Sequence, residues 1–242
     1  MRVAGIPLGV GQNTLNPSLT LALLHFDGAN GSTTFTDSGG HSADFSITIS
    51  GTPQHSNTSA ESGFGNRAAL LGNSMISIED TTIGRTHFDF GTSPFTMEGR
   101  VEKLAGSQYY YNVIFGDNTA PPPSGYNLCL ILEGNNQFYL WIVLDSTVYT
   151  ITHQTVMAAG TKYHFAIVRS ASGYIDLYIN GIRANDRLNV GTSASHTAAS
   201  SYLYLGSMVG NTLDGYIDEF RIRKEAVYTG ASFTVPTAPF TE

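Results

Sequence analysis

The chain has 242 residues, 26 of them Gly, with 13% charged residues and a formal net charge of −7. That length suits one large sandwich or two small domains, and the low charge with abundant Gly points to a loop-rich all-β protein. The acidic balance argues against nucleic acid as a partner, since phosphate binding needs clustered Lys and Arg, and no apolar run approaches the roughly 20 residues of a membrane span.

Residues 1–18 read as an arm, because Gly5, Gly9, Gly11, Pro7 and Pro17 interrupt every possible element. Arg2 is its one charge and no long apolar run follows, so a secretory signal is not expected. Residues 19–242 are expected to form one domain. Residues 21–26 read as a strand ending at Asp27-Gly28, and 44–49 is the best strand in the Gly-, Ser-, Thr- and Asn-rich stretch that follows. Segments 67–71 and 75–78 flank Gly72-Asn73, a pattern that predicts a tight hairpin. In residues 95–101, alternation turns Phe95, Met97 and Val101 toward a core. Segments 109–115 and 127–132 are separated by Pro121-Pro-Pro123, a stiff exposed loop. The single Cys129 lies in an apolar strand, reads as a small buried hydrophobe and has no intrachain disulfide partner.

Residues 137–144 are apolar on both faces, as a central, doubly covered strand requires. Residues 148–152 follow a short turn. The clearest hairpin joins 163–169 to 174–179, with Ile175, Leu177 and Ile179 sharing one face and Tyr174, Asp176 and Tyr178 the other. Asn180-Gly181 then closes the second strand in a primed turn. A strand at 216–222 places Asp218 on the same face as Tyr216, Phe220 and Ile222, and a carboxylate there needs a cation or hydrogen-bond donors. Glu219, Arg221 and Arg223 fall on the other face as a surface charge cluster. Twelve or more short strands without helices predict a two-sheet antiparallel β-sandwich.

Four segments carry a family resemblance in order: Leu23-Leu-His-Phe-Asp-Gly28, Phe95-Thr-Met-Glu98, Tyr163-His-Phe-Ala-Ile-Val-Arg with Leu177-Tyr-Ile-Asn-Gly181, and Gly215-Tyr-Ile-Asp-Glu-Phe-Arg-Ile222. Together they resemble the concanavalin A-like (laminin-G-like) jelly roll, with one departure at Arg100, where many relatives carry Trp. The tail, Tyr228-Thr229 followed by Phe233-Thr-Val-Pro236 and Pro239-Phe240, resembles versions of this domain in tailed-bacteriophage virion proteins. The resemblance implies a virion component, either a capsid-decoration or a tail protein, whose partners are other virion proteins and whose arm orders on docking; the alternative is a stand-alone carbohydrate-binding module or adhesin. It also implies homo-oligomers, with trimers the first expectation.

The superfamily includes glycoside hydrolases, which need paired carboxylates roughly 5 Å apart in retaining enzymes. Glu98 and Glu102 are four residues apart without the intermediate Asp of the glucanase pattern, and nucleophile-elbow, zinc-protease and phosphate-loop motifs are missing. The chain is therefore expected not to be an enzyme. No His pairs with Cys or another His at a metal-ligand spacing along the sequence. Two binding sites are expected. Asp27 and Asp218 are candidate ligands of one structural Ca²⁺, as in relatives, the alternative being that Asp218 bonds to backbone amides or Arg67. Tyr109, Tyr111, Tyr126, Tyr139 and Trp141 are candidates for stacking on a cell-surface carbohydrate, the alternative being an ordinary filled layer. Loops 121–125 and 192–201 sit at strand ends, where binding loops are usual.

Overall fold

Among the described residues, segments of period-two hydrophobicity become strands, because each such segment has one face that must be covered and one that need not be. The computed structural model describes residues 19–58, 63–70, 74–84, 87–105, 112–117, 127–208 and 211–242. The expected arm, Tyr109, Tyr111, Tyr126 and the 121–125 loop lie outside the described residues. The strands are β1 (Thr20–Leu24), β2 (Phe45–Ser50), β3 (Gln54–Ser56), β4 (Arg67–Leu70), β5 (Met75–Asp80), β6 (Phe95–Lys103), β7 (Asn112–Gly116), β8 (Leu128–Leu132) and β9 (Gln137–Leu144). They continue with β10 (Thr147–Val156), β11 (Lys162–Arg169), β12 (Tyr174–Ile179), β13 (Ile182–Arg183), β14 (Leu188–Asn189), β15 (Tyr202–Leu205), β16 (Ser207–Met208), β17 (Asn211–Thr212) and β18 (Gly215–Arg223).

Two antiparallel sheets stack face to face. One runs β13-β12-β11-β6-β18-β4-β3, with β1 also on β18 and β14 on β12; the other runs β10-β9-β8-β7-β15-β5-β2. A short hairpin of β16 and β17 lies outside both. Between the sheets, Phe95, Met97, Val101, Phe165, Leu177 and Ile217 from the first meet Ile76, Leu130, Phe138, Leu140 and Leu205 from the second, all fully or almost fully buried. Phe115 bridges the layers, its ring 5.9 Å from both Phe165 and Phe220. Cys129 is buried, and burial holds its thiol pKa well above the ordinary value.

The β11–β12 hairpin forms as expected, with Ile167 opposite Leu177 and Arg169 opposite Ile175. Asn180 and Gly181 both take positive φ, 49° and 75°, as a primed turn requires. The hairpin expected around Gly72-Asn73 does not form. β4 pairs with β3 and β18 in the first sheet, whereas β5 pairs with β2 and β15 in the second. A turn signal says only that the chain reverses nearby; here each strand finds a distant partner instead, and the chain passes between layers. β9 is not central either. It lies between β10 and β8, one strand from the sheet edge, with Phe138, Leu140, Ile142 and Leu144 buried and Tyr139, Trp141 and Val143 half-buried on the other face.

β18 also departs from simple alternation. Asp218 stands opposite Arg100 and Arg221 opposite Glu98, so β18 spends one residue more than β6 between these pairs. Glu219 sits in the bulge with φ 48°, a left-handed conformation uncommon outside Gly. The extra residue inverts the facing. Ile217, Phe220 and Ile222 all point into the core, while Asp218 lies on the outer face with Tyr216, not with Phe220 and Ile222.

Candidate functional site

The outer faces of the two sheets have opposite fates. On the first sheet, residues 225–242 lie across the strands. Thr96 Oγ1 donates to the Glu225 carbonyl and accepts from the Val227 amide, and Tyr178 OH donates to the Gly230 carbonyl at 2.9 Å. The Phe233 amide reaches the Gly181 carbonyl at 2.9 Å, and the Phe240 amide reaches Glu219 Oε2 at 2.6 Å. Tyr228 and Phe233 stack with centroids 3.6 Å apart and cover Ala166, Val168 and Tyr178.

Beneath this tail lies Glu98, with no exposed surface. Its Oε1 accepts from Arg221 Nε at 3.0 Å, while Oε2 accepts from Tyr228 OH at 2.7 Å and lies 3.2 Å from His164 Nε2. Burial alone would raise its pKa, but the His164 hydrogen bond and the charges of Arg221 and His164 outweigh it and leave the carboxyl below its ordinary value. Glu102 pairs with Arg67 nearby, and the Arg67 guanidinium stacks 3.8 Å from the Tyr216 ring centre. The expected surface cluster of Glu219, Arg221 and Arg223 is not one. Glu219 has no exposed surface and Arg221 is 7% exposed, because the tail covers the place where solvent was expected. Arg223 alone keeps a surface pair, with Glu225.

The second sheet keeps an aromatic outer face. Cross-strand registers align Thr150, Trp141, Cys129, Gly116, Tyr204 and Ser77 in one row perpendicular to the strands. At roughly 4.8 Å per strand, Trp141 on β9 and Tyr204 on β15 stand about 14 Å apart. The two residues between them, Cys129 and Gly116, are small and form a buried floor. In the neighbouring rows, Tyr139 faces Ile131, and Tyr202 stacks parallel on Tyr204 at 5.7 Å. Tyr139, Trp141, Tyr202 and Met75 pack as half-buried residues around Cys129, Ile131 and Tyr204. Burial, Tyr202 and Glu79 raise the pKa of the Tyr204 hydroxyl, so it remains a hydrogen-bond donor at neutral pH.

Beyond Trp141 this face opens into a polar cleft of about 210 Å³, lined by Asn127, Val143, Asp145, Ser146, Ser195 and Thr197. The 192–201 loop shapes it. Asp145 Oδ2 accepts from the Ser195 amide at 3.2 Å, and Asn127 Nδ2 donates to the Thr197 carbonyl at 2.7 Å. Asp117 anchors the arrangement from below, accepting from the amides of Asn127, Leu128 and Ala199. Burial pushes its carboxyl up to about 6 against those three donors. Flat rings beside convergent hydroxyl, amide and carboxylate groups make a surface able to hold a ligand with one apolar and one hydroxylated side.

Of the expected stacking residues, the structure brings Tyr139 and Trp141 onto one face. Tyr202 and Tyr204 were not anticipated, although tyrosines two apart in a strand are a legible sign of a shared face, and of the polar cleft only the 192–201 loop was anticipated. Asp27 follows β1 and Asp218 lies within β18, the strand with which β1 pairs as expected. Burial, with the charges of Glu219 and Asp27, pushes Asp218 up to about 8, while the Glu219 amide and Arg100 oppose this. Asp218 Oδ1 accepts the Glu219 amide at 3.0 Å. Glu219 in turn lies 2.8 Å from His25 Nδ1. The charges of Glu219 and Asp27 thus reinforce the effect of burial on Asp218. Sequence spacing also concealed a His41–Asp44–His87 cluster, whose ligand atoms all lie within 4.8 Å of one another. His41 and His87 meet only because β2 and β5 are paired.

No curated protein matches the sequence. Among solved structures, the receptor binding domain of botulinum neurotoxin C/D mosaic serotype superposes with a TM-score of 0.62 at 11% identity, over 87% of this chain and 49% of its own. The binding domain of botulinum neurotoxin DC, in complex with rat synaptotagmin II, gives 0.63 at 12%, over 87% and 49%. The binding domain of Paraclostridial Mosquitocidal Protein 1 gives 0.63 at 13%, over 86% and 49%. The chain thus spans about half the length of these solved chains, and at such identities the likeness concerns the fold. The model of the concanavalin A-like lectin/glucanases superfamily matches residues 72–228, and the chain belongs to that superfamily.

Proposed function

We propose that the protein is a non-enzymatic, lectin-type recognition module displayed on a bacteriophage particle, where it binds a surface glycan. The observation that carries the glycan reading is the contrast between the two outer faces: the tail lies over one, and the other presents the half-buried Trp141, Tyr139 and Tyr202, packed around the buried Tyr204, beside a polar cleft. The likeness to toxin binding domains supports recognition rather than turnover. The engagement of Glu98 by Arg221, Tyr228 and His164 further supports a structural carboxylate. The phage setting rests on the resemblance of the tail sequence to virion proteins, and homo-oligomers, trimers first, accompany that reading.

Trp141→Ala is expected to weaken binding to host cells or to an immobilised glycan panel about tenfold or more, the equivalent of about 1.4 kcal/mol, with the circular dichroism spectrum unchanged. Binding undiminished in both Trp141→Ala and Tyr204→Ala would remove this face from the function. Antibody labelling of purified phage particles tests the setting separately, and unlabelled heads and tails would exclude it.

For the expected Ca²⁺, Asp27 and Asp218 remain the proposed ligands, supported by the repulsion that a divalent ion would relieve. Calcium should raise the melting temperature of the wild-type chain and leave that of Asp218→Asn unmoved. An equal response in both proteins would remove the ion from this site.

A further inference from the structure

We propose that His41, Asp44 and His87 bind a divalent transition-metal ion of the zinc class at the edge of the second sheet. His41 and Asp44 belong to the turn that leads into β2, and His87 follows β5, the strand with which β2 pairs. An ion held there ties the start of the edge strand to the segment beyond its neighbour.

The spacing suits this metal. Zn–N bonds of about 2.0–2.1 Å and Zn–O bonds of about 2.0–2.2 Å in tetrahedral array place neighbouring ligand atoms about 3.4 Å apart. Asp44 Oδ2 lies 3.1 Å from His41 Nδ1 and 3.5 Å from His87 Nε2. Two imidazoles and one carboxylate favour zinc-like ions over Ca²⁺ and Mg²⁺, which select oxygen donors.

The groups behind the ligands strengthen the assignment. Asp80, with no exposed surface, accepts the His87 amide on Oδ2 at 2.8 Å, and its Oδ1 lies 3.2 Å from His87 Nδ1. Thr82 holds the same Oδ1 through its amide at 3.0 Å and its hydroxyl at 2.6 Å. With Nδ1–H donated to Asp80, the lone pair of His87 resides on Nε2, the atom that faces Asp44. A carboxylate behind an imidazole in this way fixes the tautomer and raises its basicity as a ligand. The His87 ring is further held edge-on against Phe45 at 5.3 Å. Asp44 remains 39% exposed, which leaves access for the ion and for water as a further ligand.

The test uses the full chain without a histidine tag, stripped with chelator and titrated with Zn²⁺ by calorimetry and with Co²⁺ by visible absorption. The expected result is one ion per chain, intense visible bands with Co²⁺, and a metal-dependent rise in melting temperature. His87→Ala and His41→Ala should each abolish all three. Asp80→Asn, which keeps every ligand, should weaken affinity about 10- to 100-fold. His41 is the more exposed of the two imidazoles, so His41→Ala serves should His87→Ala fail to fold. Absence of stoichiometric binding, or binding that survives His41→Ala, overturns the site and leaves these residues a hydrogen-bonded cluster.

Discussion

His196 shows how far a single side chain can be read once its surroundings are known. It is 1% exposed, its ring lies 5.4 Å from Phe90, and burial together with the Arg169 charge lowers its pKa to about 4. The unfolded chain takes up a proton on this imidazole near its ordinary value of about 6.5, and the folded chain only near 4. Unfolding therefore binds a proton between those values, so this residue's contribution is intact above about pH 6.5 and is lost as the pH falls toward 4. Replacement by Phe, which keeps the ring, should make the chain gain on wild type by up to about 3 kcal/mol across that range. Denaturant titrations of both proteins at several pH values test this, and a pH-independent difference between them would contradict it. Nothing in the sequence around His196 announces it, because its partners Arg169, Phe90 and Gly91 come from distant segments.

The informative element is the pair made by β18 and the tail it leads into. The tail residues were legible as a motif, but their role was not, since an aromatic and proline-rich segment without period-two alternation says nothing about what it covers. Alternation also misassigned Phe220 and Ile222 relative to Asp218. One left-handed residue, Glu219, resets the phase of the strand, and Glu gives no warning of a positive φ as Gly would. The docked tail makes the Glu98–Arg221 pair a buried one, and removing one partner of a buried pair costs about 3–5 kcal/mol. Glu98→Gln should therefore lower unfolding free energy by about that amount. It should leave glycan binding by the remaining folded protein intact, because Glu98 lies on the sheet opposite Trp141. Loss of binding without loss of stability would instead make Glu98 part of a functional site.

For the molecule as a whole, the two-sheet architecture and the β11–β12 hairpin could be read directly, because period-two alternation and an Asn-Gly turn are local signals. What was hidden is most of what joins segments far apart in the chain. β4 and β5 separate into different sheets despite the turn signal between them. Trp141 and Tyr204 share a row although β8 and β7 lie between their strands. His41 meets His87 only through the β2–β5 pairing. The candidate binding face was thus half legible, through Tyr139 and Trp141, while its far wall and polar cleft come from the fold. The resulting sandwich has unlike outer surfaces, one laid under the tail and one aromatic, so the module has a front and a back.

The pairing of β1 with β18 has a mechanical corollary. Thr20 stands opposite Arg223, and the Lys224 amide bonds to the Leu19 carbonyl at 2.8 Å, so the chain enters and leaves this ladder at the same corner. A pull applied between residues 19 and 224 would load the rungs singly, like a zipper drawn from its end, rather than shearing them together. Under tension from that corner the ladder would part at low force, while the same two strands, sheared along their length, would share the load across every rung.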